Sequence, residues 1–240
     1  MSEVHDTTEQ QEPDALLQTS SVAAVSIRTA LVLLTFTLLF TALMAGTYLL
    51  TREPIAASEQ AAKLETIGAV LPRDQYDNDL LADTLILPPT AELGQTQPST
   101  VYRARRKGAP VAAILEVAAA DGYSGRIDLI VAVAPDGAIL AARVIRHKET
   151  PGLGDYIDIA KDKNKQQPWI TQFNGLGNAE VSAAEWKVRK DGGRFDQRAG
   201  ATISARAVTN ALGRTTRYAA AHTESLFAVP PQQVLQGDRK

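Results

Sequence analysis

The chain has 240 residues, 45% of them apolar, with 25 basic against 27 acidic side chains and a net charge of -2; this suits one domain of about 150 to 190 residues with tails and excludes a broadly basic nucleic-acid binder. Cysteine is absent, so disulfides, thiolate metal sites, iron–sulfur clusters and cysteine nucleophiles are excluded, and any redox chemistry must come from a bound cofactor. The three histidines, His5, His147 and His222, share no metal-ligand spacing.

Residues 1–28 open the chain with Glu3, Asp6, Glu9, Glu12 and Asp14 and no basic side chain before Arg28, the composition of a disordered tail. Residues 29–51 carry no charge at all. At about 1.5 Å per residue they reach roughly 34 Å, enough to cross the hydrocarbon of a bilayer as a transmembrane helix. A cleaved signal peptide is the alternative, but the apolar run exceeds the usual h-region and lacks a positive segment before it. Arg28 and Arg52 flank the run symmetrically, so charge alone assigns no orientation. Over 52–74, Pro54 is placed to open a stalk helix and Pro72 to close it, with Leu64, Ile67 and Leu71 forming one apolar stripe that docks on the domain.

The domain proper is read over 75–228. Short β-type runs occur at Thr84–Leu87, Val101–Arg105 and Val111–Val117. A hairpin pairs Ile127–Val133 with Ile139–Ile145 through the turn residues Pro135-Asp136-Gly137. After Thr202, Val208, Leu212 and Ala219 recur at helical spacing. The fold class is therefore mixed α+β behind a single N-terminal transmembrane helix, and 229–240 reads as a polar tail.

Two loops carry the chemistry. Gly200 and Ala201 bring Thr202 to a helix N-terminus without bulk, where unpaired N–H groups and the helix dipole favour an anion such as a phosphate; a plain N-cap is the other reading. Some 50 residues upstream, Thr150-Pro151-Gly152-Leu153-Gly154 is either a simple turn with Leu153 filling the core or a loop held open to a ligand. Asp191-Gly192-Gly193 could equally be a hairpin turn. Glu149 is solvated, paired with Lys148 or Arg146, or orients the loop, while His147 reads as structural. No Gly-x-Gly-x-x-Gly dinucleotide fingerprint is present.

The stretch His147-Lys148-Glu149-Thr150-Pro151-Gly152-Leu153-Gly154, with Gly122-Tyr123-Ser124-Gly125, Trp169…Phe173-Asn174-Gly175 and Asp191-Gly192-Gly193-Arg194-Phe195-Asp196-Gln197-Arg198-Ala199-Gly200-Ala201-Thr202, resembles the FMN-binding domain of the G subunit of the Rnf/Rsx ion-translocating electron transport complex, from roughly Gln75 to Tyr218. The resemblance implies FMN joined covalently through its phosphate to Thr202, within a motif that also takes in Asp196, Gly200 and Ala201. It implies a cofactor site of Thr202, Ala201, Gly200, Asp196, Gly193, Gly192, Glu149, Thr150, Gly152, Leu153 and Gly154, with the flavin ring against the 149–154 loop, and no metal. Ala199 stands where the family usually has a small hydroxylated residue, and Ile203-Ser204-Ala205 also departs from the pattern.

The function implied is that of an electron-transfer subunit rather than an enzyme on its own, anchored in the bacterial inner membrane with the 1–28 tail in the cytoplasm and the FMN domain outside it. Its partners would be the other Rnf/Rsx membrane subunits, a flavin transferase for maturation and the lipid bilayer, with no nucleic acid. The C subunit of the sodium-translocating NADH:quinone reductase shares the FMN domain and a similar loop, but His147-Lys148-Glu149, Asp155 and the Asp191–Gln197 run look more like the Rnf form. A membrane-anchored binding or scaffold protein of the same fold without flavin is the alternative from another class.

Overall fold

The computed structural model describes residues 14–235. The chain divides into two compact units, Met1–Ala61 and Ala62–Lys240. The first is the greater part of one helix, α1, Asp14–Gly68, whose stretch from Val22 onward is long and apolar enough to cross a membrane. Its apolar side chains, among them Leu31, Phe36, Leu43 and Leu50, are exposed. Thr35, Thr37, Thr47 and Thr51 turn their hydroxyls back onto carbonyls four residues earlier at 2.8 Å, which satisfies them where no water is available.

Two expectations for this region change. Pro54 does not open a separate stalk helix: it lies inside α1, which runs through without a break, because the long apolar turns before it have already fixed the helix that Pro54 joins. The expected tail, 1–28, is helical from Asp14 onward, and its first 13 residues lie outside the described part. The closing signal is nearer the mark. The helix ends at Gly68, four residues before Pro72, and Ile67 and Leu71 are buried in the domain while Leu64 stays largely exposed.

The second unit is built on a six-stranded sheet in the order β5-β4-β3-β2-β1-β6. Its strands are β1 Thr84–Leu87, β2 Ser99–Arg106, β3 Ala109–Gly122, β4 Gly125–Val133, β5 Ile139–Arg146 and β6 Gln233–Val234. All neighbours are antiparallel except β1 and β6. The period of two sorts the side chains cleanly. Ala113, Leu115, Val117, Leu129 and Val131 face the core shared with helix α2, Thr202–Ala228. Ala112, Ile114, Ile130 and Ala132 face the smaller core formed with Ile67, Val70, Leu71 and Tyr76. The expected polar tail is part of the sheet up to Leu235: Gln232 N–H and Leu235 N–H bond to the Thr84 and Ile86 carbonyls at 2.7 and 2.9 Å, and Leu235 is buried. Backbone groups make that pairing, so its side chains gave no alternating signal; residues 236–240 lie outside the described part.

Helix α2 lies across the sheet on Ala205, Val208, Ala211, Leu212 and Ala219. Gly213 is where it meets Trp186, since a Cβ there would come within 2.8 Å of the indole. Trp186 belongs to an aromatic stack with Phe173 and Phe195, ring centroids 4.7 to 6.2 Å apart. The stack anchors the irregular segment between β5 and α2, and thereby both functional loops.

Candidate functional site

The chain leaves edge strand β5 at Arg146 and at once folds into the 149–154 turn. Leu153 N–H and Gly154 N–H both bond to the Thr150 carbonyl, at 3.1 and 3.0 Å, and Gly152 supplies the φ of +76° that this tight turn requires. Leu153 is 53% exposed. It therefore does not fill the core, which removes the reading of this loop as a turn that merely buries a leucine.

On the facing side, Gly200 takes a φ of +83° and the chain enters α2. Ala201 occupies the N-cap position and offers no side-chain cap. Thr202 is thus the first helical residue and not the cap. Among the described residues no hydrogen bond engages its hydroxyl. The first helical bond of this end runs from Ala205 N–H to the Ala201 carbonyl at 3.5 Å, so the N–H groups of Thr202, Ile203 and Ser204 precede the helical ladder and carry the positive end of its dipole.

These two segments line one cavity of about 440 Å³, with Glu149, Thr150, Leu153 and Gly154 on one side, Gly200 to Ser204 on the other, and Tyr123 and Lys190 completing it. The volume is in the range of small-molecule sites, about 300 to 1,000 Å³. Tyr123, Leu153 and Ile203 present exposed apolar surface there, and Lys190 is the one cation among the residues lining it. Apolar walls, a cation, and helix N–H groups and a hydroxyl without a partner among the described residues form a donor set that fits an aromatic phosphate ester such as FMN. A second cavity of about 420 Å³ lies on the far side of Leu153, lined by Gly152, Asp155, Tyr156, Lys161, Lys163, Arg198 and Ala199.

Seven of the eleven sequence-predicted residues line the first cavity: Thr202, Ala201, Gly200, Glu149, Thr150, Leu153 and Gly154. Gly152 borders the second. Gly192, Gly193 and Asp196 line neither. They form the turn that carries Phe195 into the aromatic stack, closed by Arg189 N–H to the Phe195 carbonyl at 2.8 Å and Phe195 N–H to the Lys187 carbonyl at 3.1 Å. The Asp196 carboxylate is largely exposed and pairs with Arg189 at 3.0 Å. Sequence reasoning missed Tyr123, Lys190, Ile203 and Ser204 as lining residues. Lys190 precedes the Asp191-Gly192-Gly193 turn and carried no pattern of its own, whereas Ile203 and Ser204 follow Thr202 directly and could have been found from the helical register.

The support beneath the site is ionic. Arg206 grips Asp191 through two bonds of 2.5 and 2.9 Å, and these hold the Asp191 carboxyl below its ordinary range and the Arg206 guanidinium above its own. Arg198 bonds to buried Asp162 at 2.5 Å and lies 4.5 Å from the Tyr156 ring centroid. Burial pushes the Tyr156 phenol up, partly opposed by the Arg198 N–H that it accepts at 3.1 Å. His147 is structural: its Nδ1 accepts from Glu149 N–H at 3.1 Å, and its Nε2 stands 3.9 Å from Asp158.

Two families match the chain: the FMN-binding domain over residues 122–216 and the RnfG N-terminal region over residues 23–70. The G subunit of the ion-translocating oxidoreductase complex of Pseudoalteromonas atlantica is 41% identical over 201 residues, 84% of this chain and 91% of that protein. Its namesake from Vibrio cholerae (strain O395) is 41% identical over 203 residues, 85% and 94% of the two chains. That of Pseudomonas aeruginosa is 41% identical over 202 residues, 84% and 92%. The crystal structure of Shewanella oneidensis NqrC aligns with 62% of this chain and 73% of its own at a TM-score of 0.39 and 21% identity.

Proposed function

The chain belongs to the G-subunit family of the ion-translocating oxidoreductase complex, and from that premise we propose that it is a membrane-anchored electron relay carrying FMN in phosphodiester linkage on Thr202. One observation carries the reading. A hydroxyl with no hydrogen-bond partner among the described residues stands on the first residue of α2, in the cavity that the Thr150–Gly154 loop closes from the other side. The N-terminus of α2 and Lys190, both lining the cavity, would hold the remaining phosphate charge. Leu153 and Ile203 offer apolar contact to the ring, and Gly200 and Ala201 leave the approach open. Bound FMN supplies one- and two-electron chemistry, which the protein itself lacks.

Attachment forms a bond from Thr202 Oγ1 to the flavin phosphorus and breaks the phosphoanhydride of an activated flavin donor. The leaving phosphate takes the bonding pair and the hydroxyl proton is released. A flavin transferase performs the step, reading a stretch in which Asp196 is the exposed carboxylate. A covalent tether suits a domain on the outer side of the membrane, where a dissociable cofactor would be lost. Electrons then pass between other subunits of the complex, coupled to ion translocation.

The test uses full-length protein made with a flavin transferase. On a denaturing gel it fluoresces under ultraviolet light, and its mass exceeds the sequence mass by one FMN less water. Thr202→Val removes both signals and Thr202→Ser keeps part of them. A wild-type chain that is never labelled, while another substrate is labelled in the same cells, would favour a flavin-free scaffold instead.

A further inference from the structure

Glu149 is 4% exposed, yet no cation pairs with it among the described residues. Its two oxygens are instead divided between neutral donors from distant segments. Oε1 accepts the Ser124 backbone N–H at 3.0 Å, from the β3–β4 turn. Oε2 accepts the Ser204 hydroxyl at 2.5 Å, from the first turn of α2. A buried carboxylate without a cation is expensive unless its lone pairs are filled by well-placed donors, and bonds to a charged acceptor are the stronger kind.

The surroundings are shaped to admit this carboxylate. A Cβ on Gly154 would stand 2.8 Å from Ser204 Oγ and 2.9 Å from Glu149 Oε2; one on Gly122 would stand 2.3 Å from the Gly125 carbonyl oxygen across the turn and 2.8 Å from Glu149 Oε1. Neither position has a positive φ, so glycine is required there for space and not for conformation. One side chain thus ties the Gly122–Gly125 turn, the 149–154 loop and the start of α2 together, two residues from Thr202.

Two hydroxyls of the same helical turn, Thr202 and Ser204, line the cavity. Ser204 is buried and spends its proton on Glu149; Thr202 is partly exposed and its hydroxyl donates to no partner among the described residues. We propose that Glu149 and Ser204 act as one positioning pair, which holds the cavity walls in register and withdraws Ser204, so that of the two hydroxyls on this helical turn Thr202 is the one presented for modification. The inference rests on the reading of Thr202 as the flavin acceptor. It gives Glu149 a part within the protein and not on the flavin ring.

The test has two arms on the full-length chain in detergent. The first follows backbone hydrogen exchange of the unlabelled protein. Ser204→Ala and Glu149→Ala are expected to speed exchange at Ser124, Leu153 and Gly154 by tenfold or more, whereas Glu149→Gln, which keeps an acceptor for Ser124 and a polar partner for Ser204, changes it far less. The second arm follows covalent labelling by a flavin transferase at saturating donor. Ser204→Ala and Glu149→Ala are expected to lower the initial rate at least tenfold, Glu149→Gln to restore most of it, and peptide mapping to find any label on Thr202.

Ser204→Ala replaces a residue inside a helix by the best helix former, so it keeps the test open should Glu149→Ala fail to fold. Wild-type rates in both alanine variants overturn the inference. So does a rate loss with unchanged exchange, or an equal loss in Glu149→Gln, since either would give the carboxylate a direct contact with flavin. A wild-type chain labelled elsewhere than Thr202, or not at all, overturns the acceptor reading and this inference with it; labelling on Thr202 that ignores Ser204 overturns this inference alone.

Discussion

Leu153 and Gly200 close the site from opposite sides: a Cβ built on Gly200 would lie 3.8 Å from Leu153 Cδ2. That spacing is ordinary contact, so the cost of Gly200→Ala comes from the left-handed φ of +83°, about 1 to 2 kcal/mol. At roughly 2 to 4 °C per kcal/mol for a domain of this size, the melting temperature drops by a few degrees. Leu153→Ala removes an exposed side chain and costs less than about 0.5 kcal/mol. A thermal melt in which Leu153→Ala is as damaging as Gly200→Ala would show that Leu153 is a core residue after all.

Arg103, wholly buried on β2, is expected to be the costliest single charge to remove. It pairs with Asp83 and donates to the Leu226 and Val229 carbonyls at the C-terminal end of α2, while Arg105 reaches Asp83 at 2.8 Å and the Phe227 carbonyl at 2.9 Å. Two arginines held by one carboxylate therefore cap the negative end of the helix whose other end bears Thr202. Arg103→Met leaves Asp83 to Arg105 alone and the Leu226 and Val229 carbonyls without their donor, at a cost of about 2 to 5 kcal/mol; Arg105→Met costs less, because Arg105 is partly exposed. Urea unfolding of the two variants measures this, and a loss below about 1 kcal/mol for Arg103→Met contradicts it.

What the sequence disclosed and withheld follows from where the physics is local. Thr84–Leu87 and the 127–133/139–145 hairpin were legible because alternation and a Pro-Asp-Gly turn are short-range signals, and Val208, Leu212 and Ala219 marked α2 by period alone. The continuity of α1 through Pro54 was not, since a proline's local preference is overridden by turns already formed on either side. Strand β6 was hidden for the opposite reason: two residues pair by backbone alone. At the site, Thr202 and the Thr150–Gly154 loop were found through their motif. The bond between Glu149 and Ser204 spans 55 positions, and no local pattern announces it. Asp196, Gly192 and Gly193 share the motif's sequence but not its cavity, because their turn serves Phe195.

Gly192 and Gly193 separate two reasons for glycine within one turn. Gly192 has a φ of +80° and open space around it, whereas a Cβ on Gly193 would stand 2.1 Å from the Lys187 carbonyl oxygen and 2.4 Å from its carbon. Gly192→Ala is expected to cost about 1 to 2 kcal/mol in backbone strain. Gly193→Ala must push backbone apart, breaking the bonds that seat Phe195, and is expected to cost more than about 3 kcal/mol. Near-ultraviolet circular dichroism, which reports the packing of Trp186 and Phe195, should change for Gly193→Ala and not for Gly192→Ala. The reverse order would mean that conformation and not space governs the turn.

Asp162 gives the site a defined acid sensitivity. Burial alone would raise its carboxyl, but the Trp169 and Asn164 N–H groups, at 2.6 and 2.9 Å, and the Arg198 guanidinium outweigh burial and hold it below the ordinary value of 3.8. A carboxyl lowered by folding binds fewer protons in the native than in the unfolded chain, so its stabilisation is complete above the ordinary value and is lost as the pH falls through the lowered one. Arg198 is two residues before Gly200, its backbone N–H is bonded to the Tyr156 hydroxyl and its guanidinium lies over the Tyr156 ring, so protonation of Asp162 loosens the turn that presents Thr202. Asp162→Asn is expected to lower stability at pH 7 by about 1 to 3 kcal/mol, with the gap to wild type narrowing as the pH drops below about 4. Melting curves of both proteins from pH 7 down to pH 3 measure that gap. A gap that stays constant across the range would mean that Asp162 stabilises the loop by shape and not by charge.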